Sequence, residues 1–258
     1  MSDRRRIIVY VEREAVIMIG WWVHVIPRDL EVLRNIEPFE DLSKEELWSI
    51  QKLCVEHKVQ KGEYIFHEGY KRESVYFIHS GLIKIFKNNE DGQEYVLDVF
   101  SQGRMFPPLG FLEYGPYPIT AQALTPCVLY SIRYRQFNAL LVQYPTLSSK
   151  VLQIMGDRII QLQSKLQVMA LPHSYERVLA LLQQLASQHG HAEQDGIHVA
   201  LPLNHGDMGR MIGMTRESVS RVWNQLLKLG VLSVPGDEWV LQMKNLASAQ
   251  NNTFRYTE

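Results

Sequence analysis

The spacing of apolar residues changes character along the chain. From Arg28 to His57 apolar residues recur at helical intervals, and Ser43 with Glu46 three positions later has the form of a capping box at a helix start. From Val59 to Ile132 short alternating or β-branched runs are broken by seven glycines, which predicts short strands and tight turns. One such turn is expected at residues 89–92. We therefore expect a helical lead-in followed by a β-roll of the jelly-roll type, with little helix.

The pattern becomes helical again at Pro145. Six apolar residues then step by alternating three and four positions, and they form a seam: Leu152, Met155, Ile159, Leu162, Leu166 and Met169. A mean spacing of about 3.5 residues makes a narrow stripe of the kind that packs against another helix. We favour a homodimer through this seam, and packing on the chain's own β domain is the alternative. Pro172 ends the helix.

Two short helical patterns lie back to back between Asn204 and Leu232 and are joined at Gly213 and Met214. Asn204 can cap the first helix, with Asp207 completing a capping box, and Thr215 can cap the second. The second helix has an apolar set at helical spacing that must face a core: Val219, Val222, Trp223, Leu226 and Leu227. This pattern predicts a helix-turn-helix.

The outward side chains at the start of the second helix suit base reading in the major groove of DNA. Arginine can bind guanine bidentately and glutamate can accept from cytosine. The predicted DNA-binding residues are Arg216, Glu217, Ser220, Arg221, Thr215 and His205. Four bases against two acids make the stretch net positive by about two charges. The alternative is a surface helix whose arginines only solvate it.

The surroundings of these two helices predict a winged helix. Ser174 starts a preceding helix, GHAEQDG is a loop, and residues 197–203 alternate as a strand. VLSVPGDEWVLQM predicts two strands around a turn at residues 235–237. The expected fold class is α+β, with four parts: an N-terminal extension at 1–36, a β-roll sensor domain at 37–145, a dimerisation helix at 146–171 and a winged-helix DNA-binding domain at 172–258.

The N-terminal segment is charged at residues 3–6 and then apolar as far as Ile26. Charges at residues 12–14 leave an apolar run of about twelve residues, which is short of the roughly twenty that span a bilayer. No small-residue cleavage site of a signal peptide follows. We expect an extra element packed on the body or a poorly ordered extension, and translation from Met18 or later is a third possibility.

Composition narrows the class of protein. The net charge of -1 means that DNA binding must depend on a local surface rather than on overall charge. Cys54 and Cys127 are the only cysteines, too few for a disulfide framework or a four-thiolate iron–sulfur cluster, so we expect a reducing cytoplasm. Each is expected to be a small buried hydrophobe, with a redox pair as the alternative. The sequence contains no recognisable catalytic motif, so we expect recognition rather than catalysis.

Over about residues 37–246 the chain resembles the CRP/FNR family of bacterial transcription regulators. The motifs that carry the resemblance are KGEYIFHEGY, HSGLIKIF, QGRMF, PITAQALTPCVLYSI and TRESVSRVWNQLLKLGVL. Glu217, Ser220 and Arg221 are similar to the recognition helix of the FNR branch, whereas Arg216 is similar to the CRP branch. The resemblance implies a homodimer that binds an inverted repeat in double-stranded DNA, with RNA polymerase as a partner and no membrane.

The chain departs from the family's cyclic AMP receptors at the ligand site. Those members carry Gly-Glu followed about ten residues later by Arg-Ser, but here residues 106–110 are FPPLG and residues 117–119 are YPI. A buried phosphate without a cationic partner is costly, so we expect an effector other than cyclic AMP. The candidate contacts are Glu113, Tyr114 and Tyr117, with an empty structural loop as the alternative.

The sequence specifies no cofactor. The N-terminal cysteine cluster of the family's oxygen sensors is missing. A cyclic-nucleotide-binding regulatory protein and a haem- or redox-sensing member of the family are the alternatives. Histidines occur in or near the sensor half without the spacing of a metal motif: His24, His57, His67, His79 and His173.

Overall fold

The computed structural model describes residues 7–11, 14–19, 22–25, 30–89, 92–107, 115–242 and 244–245. The chain divides into two compact units, one within residues 1–87 and 98–157, the other within residues 88–97 and 158–258. None of the helices in the described part of the chain has both the length and the apolar character needed to cross a membrane.

Three antiparallel strands form a small sheet near the N-terminus, in the order β1 (Ile7–Val11), β2 (Glu14–Ile19) and β3 (Trp22–Val25). Ile7 is opposite Met18, and Val16 is opposite Val25. The segment that was expected to be either an added element or a poorly ordered extension therefore has paired strands between residues 7 and 25. The three strands are rich in isoleucine and valine, β-branched residues that are enriched in strands.

Short helices precede the β-roll: α1 (Leu30–Arg34), a 3₁₀ turn (Glu37–Phe39) and α2 (Lys44–Gln51). The predicted capping box of α2 is confirmed, because Ser43 Oγ accepts from the Glu46 amide at 3.3 Å and Glu46 Oε2 accepts from the Ser43 amide at 2.7 Å. The prediction that the helical region continues to His57 was wrong. Residues 55–59 instead form strand β4 (Val55–Val59), since pairing with a later strand outweighs their local pattern.

Two four-stranded antiparallel sheets build the β-roll. The first has the order β5-β10-β7-β8 and the second the order β4-β11-β6-β9. The remaining strands are β5 (Tyr64–Phe66), β6 (Ser74–Ser80), β7 (Ile83–Asn88), β8 (Glu94–Phe100), β9 (Met105–Phe106), β10 (Thr120–Ala123) and β11 (Cys127–Arg133). The predicted turn lies between β7 and β8, where Asn89 Oδ1 accepts from the Gln93 amide at 2.7 Å. The β-roll prediction is confirmed.

Strand β6 faces two different apolar environments because successive side chains point to opposite faces. Phe77 packs on Phe39, at a ring distance of 4.7 Å, and on Phe137, at 5.7 Å. Tyr76, one position earlier, packs on Phe66 and Phe106. The sheet therefore has helices on one face and the interior of the roll on the other. Phe137 belongs to a helix that the sequence pattern did not predict, α3 (Tyr134–Gln143).

Helix α4 (Pro145–Ala170) is the predicted long helix, and α5 (Ser174–His189) follows it. Leu147, Val151 and Ile154 are buried, and the first two belong to the core formed with α1, α2 and α3. Lys150 on α4 pairs with Glu40 and Asp41. The first part of α4 is therefore fixed on the chain's own core.

The C-terminal elements form a winged helix, as predicted. They are β12 (His191–Ala192), β13 (Ile197–Val199), α6 (His205–Ile212), α7 (Arg216–Lys228), β14 (Leu232–Ser233) and β15 (Trp239–Leu241). The sheet order is β12-β13-β15-β14, and β14 and β15 form the predicted wing. Two details differ. The strand expected to reach Leu203 ends at Val199, three residues before Pro202, which has no amide hydrogen for a ladder. The predicted loop at residues 190–196 contains β12.

Candidate nucleic-acid interface

Both helices of the helix-turn-helix begin at the predicted caps. Asn204 Oδ1 accepts from the Asp207 amide at 2.9 Å, and Asp207 Oδ2 accepts from the Asn204 amide at 3.3 Å. Thr215 Oγ1 accepts from the Ser218 amide at 3.2 Å. These bonds satisfy amides that a helix start leaves without partners. The N-terminus of α7, where the base-reading residues were predicted, is therefore set by its own sequence.

The turn between α6 and α7 depends on two glycines. Gly213 has φ +66°, a left-handed conformation that glycine adopts without steric cost. Gly209 lies within α6, and a Cβ atom there would be 2.5 Å from the carbonyl oxygen of Met214. The sequence reasoning identified Gly213 but missed Gly209. The signal for Gly209 was its place inside a predicted helix. Glycine there costs about 1 kcal/mol relative to alanine, so its presence indicates that a larger side chain would not fit.

The predicted buried face of α7 is confirmed. Val219, Val222, Trp223 and Leu226 are buried, and Leu227 is half-buried. Trp223 makes an edge contact with Trp239 of β15, with ring centroids 6.2 Å apart. Apolar side chains of this size stabilise the fold by about 1.5 to 3 kcal/mol each when fully buried. One face of α7 is therefore held against α5, α6 and the wing, and the opposite face is free for a ligand.

The predicted base-reading side chains lie on that opposite face. Thr215, Arg216, Glu217 and Arg221 are exposed, and Ser220 is half-buried. Positions 217, 220 and 221 share one helix face by the i, i+3, i+4 rule. Asn224, which is also exposed, continues this face one turn further and was missed, although the same periodicity points to it. Asparagine is the side chain that pairs bidentately with adenine.

The positive charge of the helix-turn-helix is concentrated on α7. Arg210 donates to Asp207 Oδ1 at 2.7 Å, and only 6% of Asp207 is exposed, so these two charges neutralise each other. The other charged residues of this stretch are Arg216, Arg221 and Lys228 against Glu217, all on α7. Three bases against one acid leave about two positive charges on the helix that carries the predicted base-reading residues.

His205, at the start of α6, has a special environment. Its ring lies 5.0 Å from that of Trp223. Burial, followed by the nearby charge of Arg216, lowers the pKa of His205 below its ordinary value. The imidazole is therefore uncharged at neutral pH. In this state His205 can offer DNA a hydrogen bond but no positive charge.

The candidate effector region is an aromatic core where the structure describes it. Tyr117 is 4% exposed, stacks on Phe66 with ring centroids 3.9 Å apart, and donates to the Ser74 carbonyl at 3.2 Å. Phe106 packs on Phe66 and Tyr76 at 5.9 and 5.5 Å. Glu113 and Tyr114 lie outside the described residues, and so do residues 108–110 of the FPPLG stretch.

His57, His67 and His79, in or near the β-roll, each contact different residues of the chain. His57 shares a hydrogen bond with Ser131 Oγ at 2.8 Å, and His79 packs near the ring of Tyr130. His67 lies between the rings of Tyr64 and Tyr70. Within the described ranges, neither these three nor His173 joins a group of three potential metal ligands. The side chain of His24 lies outside the described residues.

The two cysteines are free and buried, as the interpretation as small hydrophobes predicts. Burial raises the pKa of the Cys54 thiol to about 12 and also raises the pKa of Cys127. A thiol with a raised pKa holds little thiolate, which is the reactive and metal-binding form. Neither cysteine therefore has the surroundings of a reactive or metal-ligating thiol.

A β-roll, a long helix and a winged helix follow one another in this order along the chain. The family comparisons agree: residues 56–144 match the cyclic nucleotide-binding domain, and residues 176–249 match the Crp-like helix-turn-helix domain. The chain belongs to the CRP/FNR family of transcription regulators.

Individual relatives are distant but cover most of the chain. The chain is 28% identical over 196 residues to the anaerobic regulatory protein of Bacillus subtilis (strain 168), which covers 75% of this chain and 82% of that protein. It is 26% identical over 226 residues to the fumarate and nitrate reduction regulatory protein of Escherichia coli (strain K12), covering 86% and 88%. The structure of FixK2 from Bradyrhizobium japonicum shares the fold, with a TM-score of 0.66, 24% identity and coverage of 77% and 96%.

Proposed function

We propose that the protein is a sequence-specific DNA-binding transcription regulator that acts as a homodimer and responds to an effector other than cyclic AMP. The observation that carries the proposal is the exposed face of α7, where Arg216, Glu217 and Arg221 stand at the capped N-terminus of a helix whose other face is buried. Side chains at this end of a recognition helix contact base edges in the major groove. The proposed function is recognition of DNA rather than catalysis. The names of the relatives reported above are those of regulatory proteins.

The homodimer is supported by the exposed apolar residues of the seam on α4. Of the six seam residues, Leu152, Ile159, Leu162 and Leu166 are each between 59% and 69% exposed. The two others contact the chain itself: Met155 packs against the core, and Met169 Sδ accepts a hydrogen bond from Tyr95 at 3.7 Å. Apolar residues at this spacing on an exposed helix favour a second helix of the same kind. A twofold dimer would present two recognition helices to an inverted repeat.

An effector other than cyclic AMP is supported by the residues at the family's ligand site. The sequence FPPLG at residues 106–110 corresponds to the stretch where the receptors carry Gly-Glu, and YPI at residues 117–119 corresponds to the stretch where they carry Arg-Ser. The side chains of phenylalanine, proline and leucine offer a cyclic phosphate neither a positive charge nor a hydrogen-bond donor, and the Tyr117 hydroxyl already donates to the Ser74 carbonyl. The phosphate would therefore be desolvated without compensation. Glu113, Tyr114 and Tyr117 are the proposed contacts of another ligand.

We further propose a functional division into a sensor at 37–145, a dimerisation helix at 146–171 and a DNA-binding domain at 172–258. RNA polymerase is the proposed partner at the promoter, by membership of the family. A cytoplasmic location is supported by the two free thiols, which a reducing compartment preserves.

Binding-site selection from a random DNA library tests the base-reading face. The parent protein is expected to select an inverted repeat with G·C pairs in each half-site. Glu217→Ala is expected to relax the preference at one base pair by about 1 to 3 kcal/mol and to leave affinity for random DNA nearly unchanged, because a carboxylate makes no favourable phosphate contact.

The matched control is Glu176→Ala, which removes a carboxylate from the first turn of α5 in the same unit. This variant is expected to select the parent's sequence. If Glu217→Ala also selects the parent's sequence, α7 does not read bases through this residue. If the parent selects no sequence at all, the proposed function is wrong.

A further inference from the structure

The hairpin of β12 and β13, at the edge of the winged-helix sheet, carries four side chains that can ligate a metal ion. They are His191, Glu193, Asp195 and His198, and we call them the hairpin cluster. The ligand atoms of Glu193, Asp195 and His198 lie within 4.8 Å of one another, and so do those of His191, His198 and Glu238. His191 and His198 are directly opposite each other in the strand register, so both side chains leave the same face of the sheet. Their ring centroids are 5.4 Å apart. The hairpin therefore places two imidazoles and two carboxylates together within eight residues of sequence.

Three pairs of possible ligand atoms in the hairpin cluster lie within 4 Å of each other. His198 Nε2 is 2.8 Å from Asp195 Oδ1 and 3.7 Å from Glu193 Oε2. His191 Nε2 is 3.1 Å from Glu193 Oε1. In a tetrahedral zinc site with bonds of about 2.0 to 2.1 Å, neighbouring ligand atoms are about 3.3 Å apart. Of the three distances between ligand atoms, two are shorter than this value and one is longer.

The second nitrogen of His198 is also engaged. Glu238, in the turn before β15, places Oε2 3.4 Å from His198 Nδ1. Histidines that bind metals almost always donate their other ring N–H to such an acceptor, because this bond holds the ring and leaves a lone pair on the ligating nitrogen. Only 13% of the His198 side chain is exposed, so the ring is also held by its neighbours.

The hairpin is rigidly placed by its own turn. The Glu193 amide donates to the Gly196 carbonyl at 2.8 Å and closes the turn. A Cβ atom at Gly196 would be 2.5 Å from the Leu241 carbonyl oxygen, so the turn lies directly on β15. The backbone of the hairpin is thus held against β15 before any ligand binds, which lowers the entropy cost of binding.

Negatively charged groups are in excess around His198. Glu193, Asp195 and Glu238 bring three carboxylates around His198, whereas a proton on that ring offsets one charge only. We propose that the hairpin cluster is a binding site for a divalent transition metal ion of the zinc class, with His191, Glu193, Asp195 and His198 as ligands and Glu238 as the outer partner of His198. Mixed imidazole and carboxylate ligands suit this class of metal better than magnesium or calcium.

A bound ion would cross-link the edge hairpin and, through His198 and Glu238, the turn of the wing. The expected result is a more stable winged-helix unit, because a ligand that binds only the folded state stabilises it. This proposal goes beyond the regulator function and does not depend on it.

Metal titration of the full chain tests the site. The protein is prepared without a histidine tag, treated with a chelator and dialysed, then titrated with ZnCl₂ by calorimetry and with CoCl₂ by visible absorption. We expect one ion per protomer, the visible bands of tetrahedral Co²⁺, and a higher melting temperature with Zn²⁺. His191→Gln and His198→Gln are each expected to weaken Zn²⁺ binding by at least about tenfold and to remove the rise in melting temperature.

His173→Gln is the matched control. It removes an exposed histidine of the same unit whose side chain makes no cap hydrogen bond, so Zn²⁺ binding should equal that of the parent. Circular dichroism checks that each variant is folded. Since more than half of the His191 side chain is exposed, His191→Gln gives the answer even if His198→Gln does not fold. The proposal is wrong if the parent has no saturable site or if His191→Gln binds Zn²⁺ and Co²⁺ as the parent does.

Discussion

The two glycines of the helix-turn-helix are required for different physical reasons. At Gly213 the backbone is left-handed and no atom lies within 4 Å of a built Cβ, so the constraint is conformational. At Gly209 the backbone is ordinary helix, but a Cβ would meet a backbone carbonyl at 2.5 Å. A side chain at 213 needs only to tolerate the left-handed conformation, whereas a side chain at 209 would force α6 away from the turn.

Gly209→Ala is therefore expected to lower the free energy of unfolding by about 1 to 3 kcal/mol, the usual cost of forcing extra volume into a packed site. Gly213→Asn is expected to cost less than about 1 kcal/mol, since asparagine visits the left-handed region more readily than other side chains. Urea unfolding followed by tryptophan fluorescence compares the two variants. If the asparagine variant proves the less stable, the close approach at Gly209 is not the stronger constraint.

His205 connects the stability of this region to pH. Its pKa is lowered in the folded state, first by burial and then by Arg216, so the folded state binds fewer protons than the unfolded state. Stability from this group is therefore present above the unfolded pKa of about 6.5 and is lost as the pH falls below it and through the lower folded pKa.

His205→Gln should reduce this loss. Between pH 7.5 and 5.5, the melting temperature of the parent is expected to fall by more than that of His205→Gln, measured by calorimetry in matched ionic strength. The comparison is made between the two proteins, because His198 has a raised pKa and contributes a pH dependence of opposite sign to both. Parallel pH curves for the two proteins would contradict the assignment to His205.

At the scale of elements, α4 carries two apolar surfaces with different partners. Leu147 and Val151 pack within the chain's core, whereas Ile159 and Leu162 point into solvent. Ile159→Asp combined with Leu162→Asp would place unpaired carboxylates in the proposed dimer contact, which costs several kcal/mol. We expect this double variant to sediment as a protomer at concentrations where the parent sediments as a dimer.

Val142→Asp on α3 is the control, since Val142 is 88% exposed and lies outside the seam. It should leave the parent's oligomeric state unchanged. Sedimentation velocity distinguishes the outcomes. A double variant that remains dimeric would place the contact elsewhere on the protein.

Elements with local signals could be predicted from the sequence, and elements that depend on distant contacts could not. The caps at Ser43, Asn204 and Thr215 lie within three residues of the amides that they satisfy, so the sequence shows them directly. Helix α3 has no side-chain cap at its start, where Arg133 makes no cap hydrogen bond, and its helical state depends on Phe137 entering a core built from distant segments. Strand β4 likewise needs β11, more than sixty residues away, as its partner.

The same distinction applies to the candidate site. The outward face of α7 follows from helical periodicity, so most of its residues were predicted. Asn224 follows the same rule and was overlooked. The neutralisation of Arg210 by Asp207 and the contact of His205 with Trp223 depend on side-chain packing, which spacing alone does not report.

For the whole molecule, the aromatic core of the roll leads to a prediction about ligands. Cyclic AMP and cyclic GMP are expected to leave the affinity for the selected DNA unchanged. The aromatic and proline residues at the positions of the family's ligand site offer the phosphate no cation. Calorimetry measures the binding of each nucleotide, and fluorescence anisotropy with labelled DNA measures the affinity for DNA with and without nucleotide. DNA binding without nucleotide confirms that the protein is active. Micromolar binding of either nucleotide together with tighter DNA binding would contradict the proposal.

The exposed stripe on α4 also has a consequence for gene dosage. Under the proposed dimer, only paired chains can occupy both half-sites of an operator. When the cellular concentration lies well below the dimer dissociation constant, halving the number of chains lowers the number of dimers about fourfold. Promoters of this regulator would then respond more steeply to its copy number than a single-chain binder allows, and the apolar residues of one helix would set the threshold.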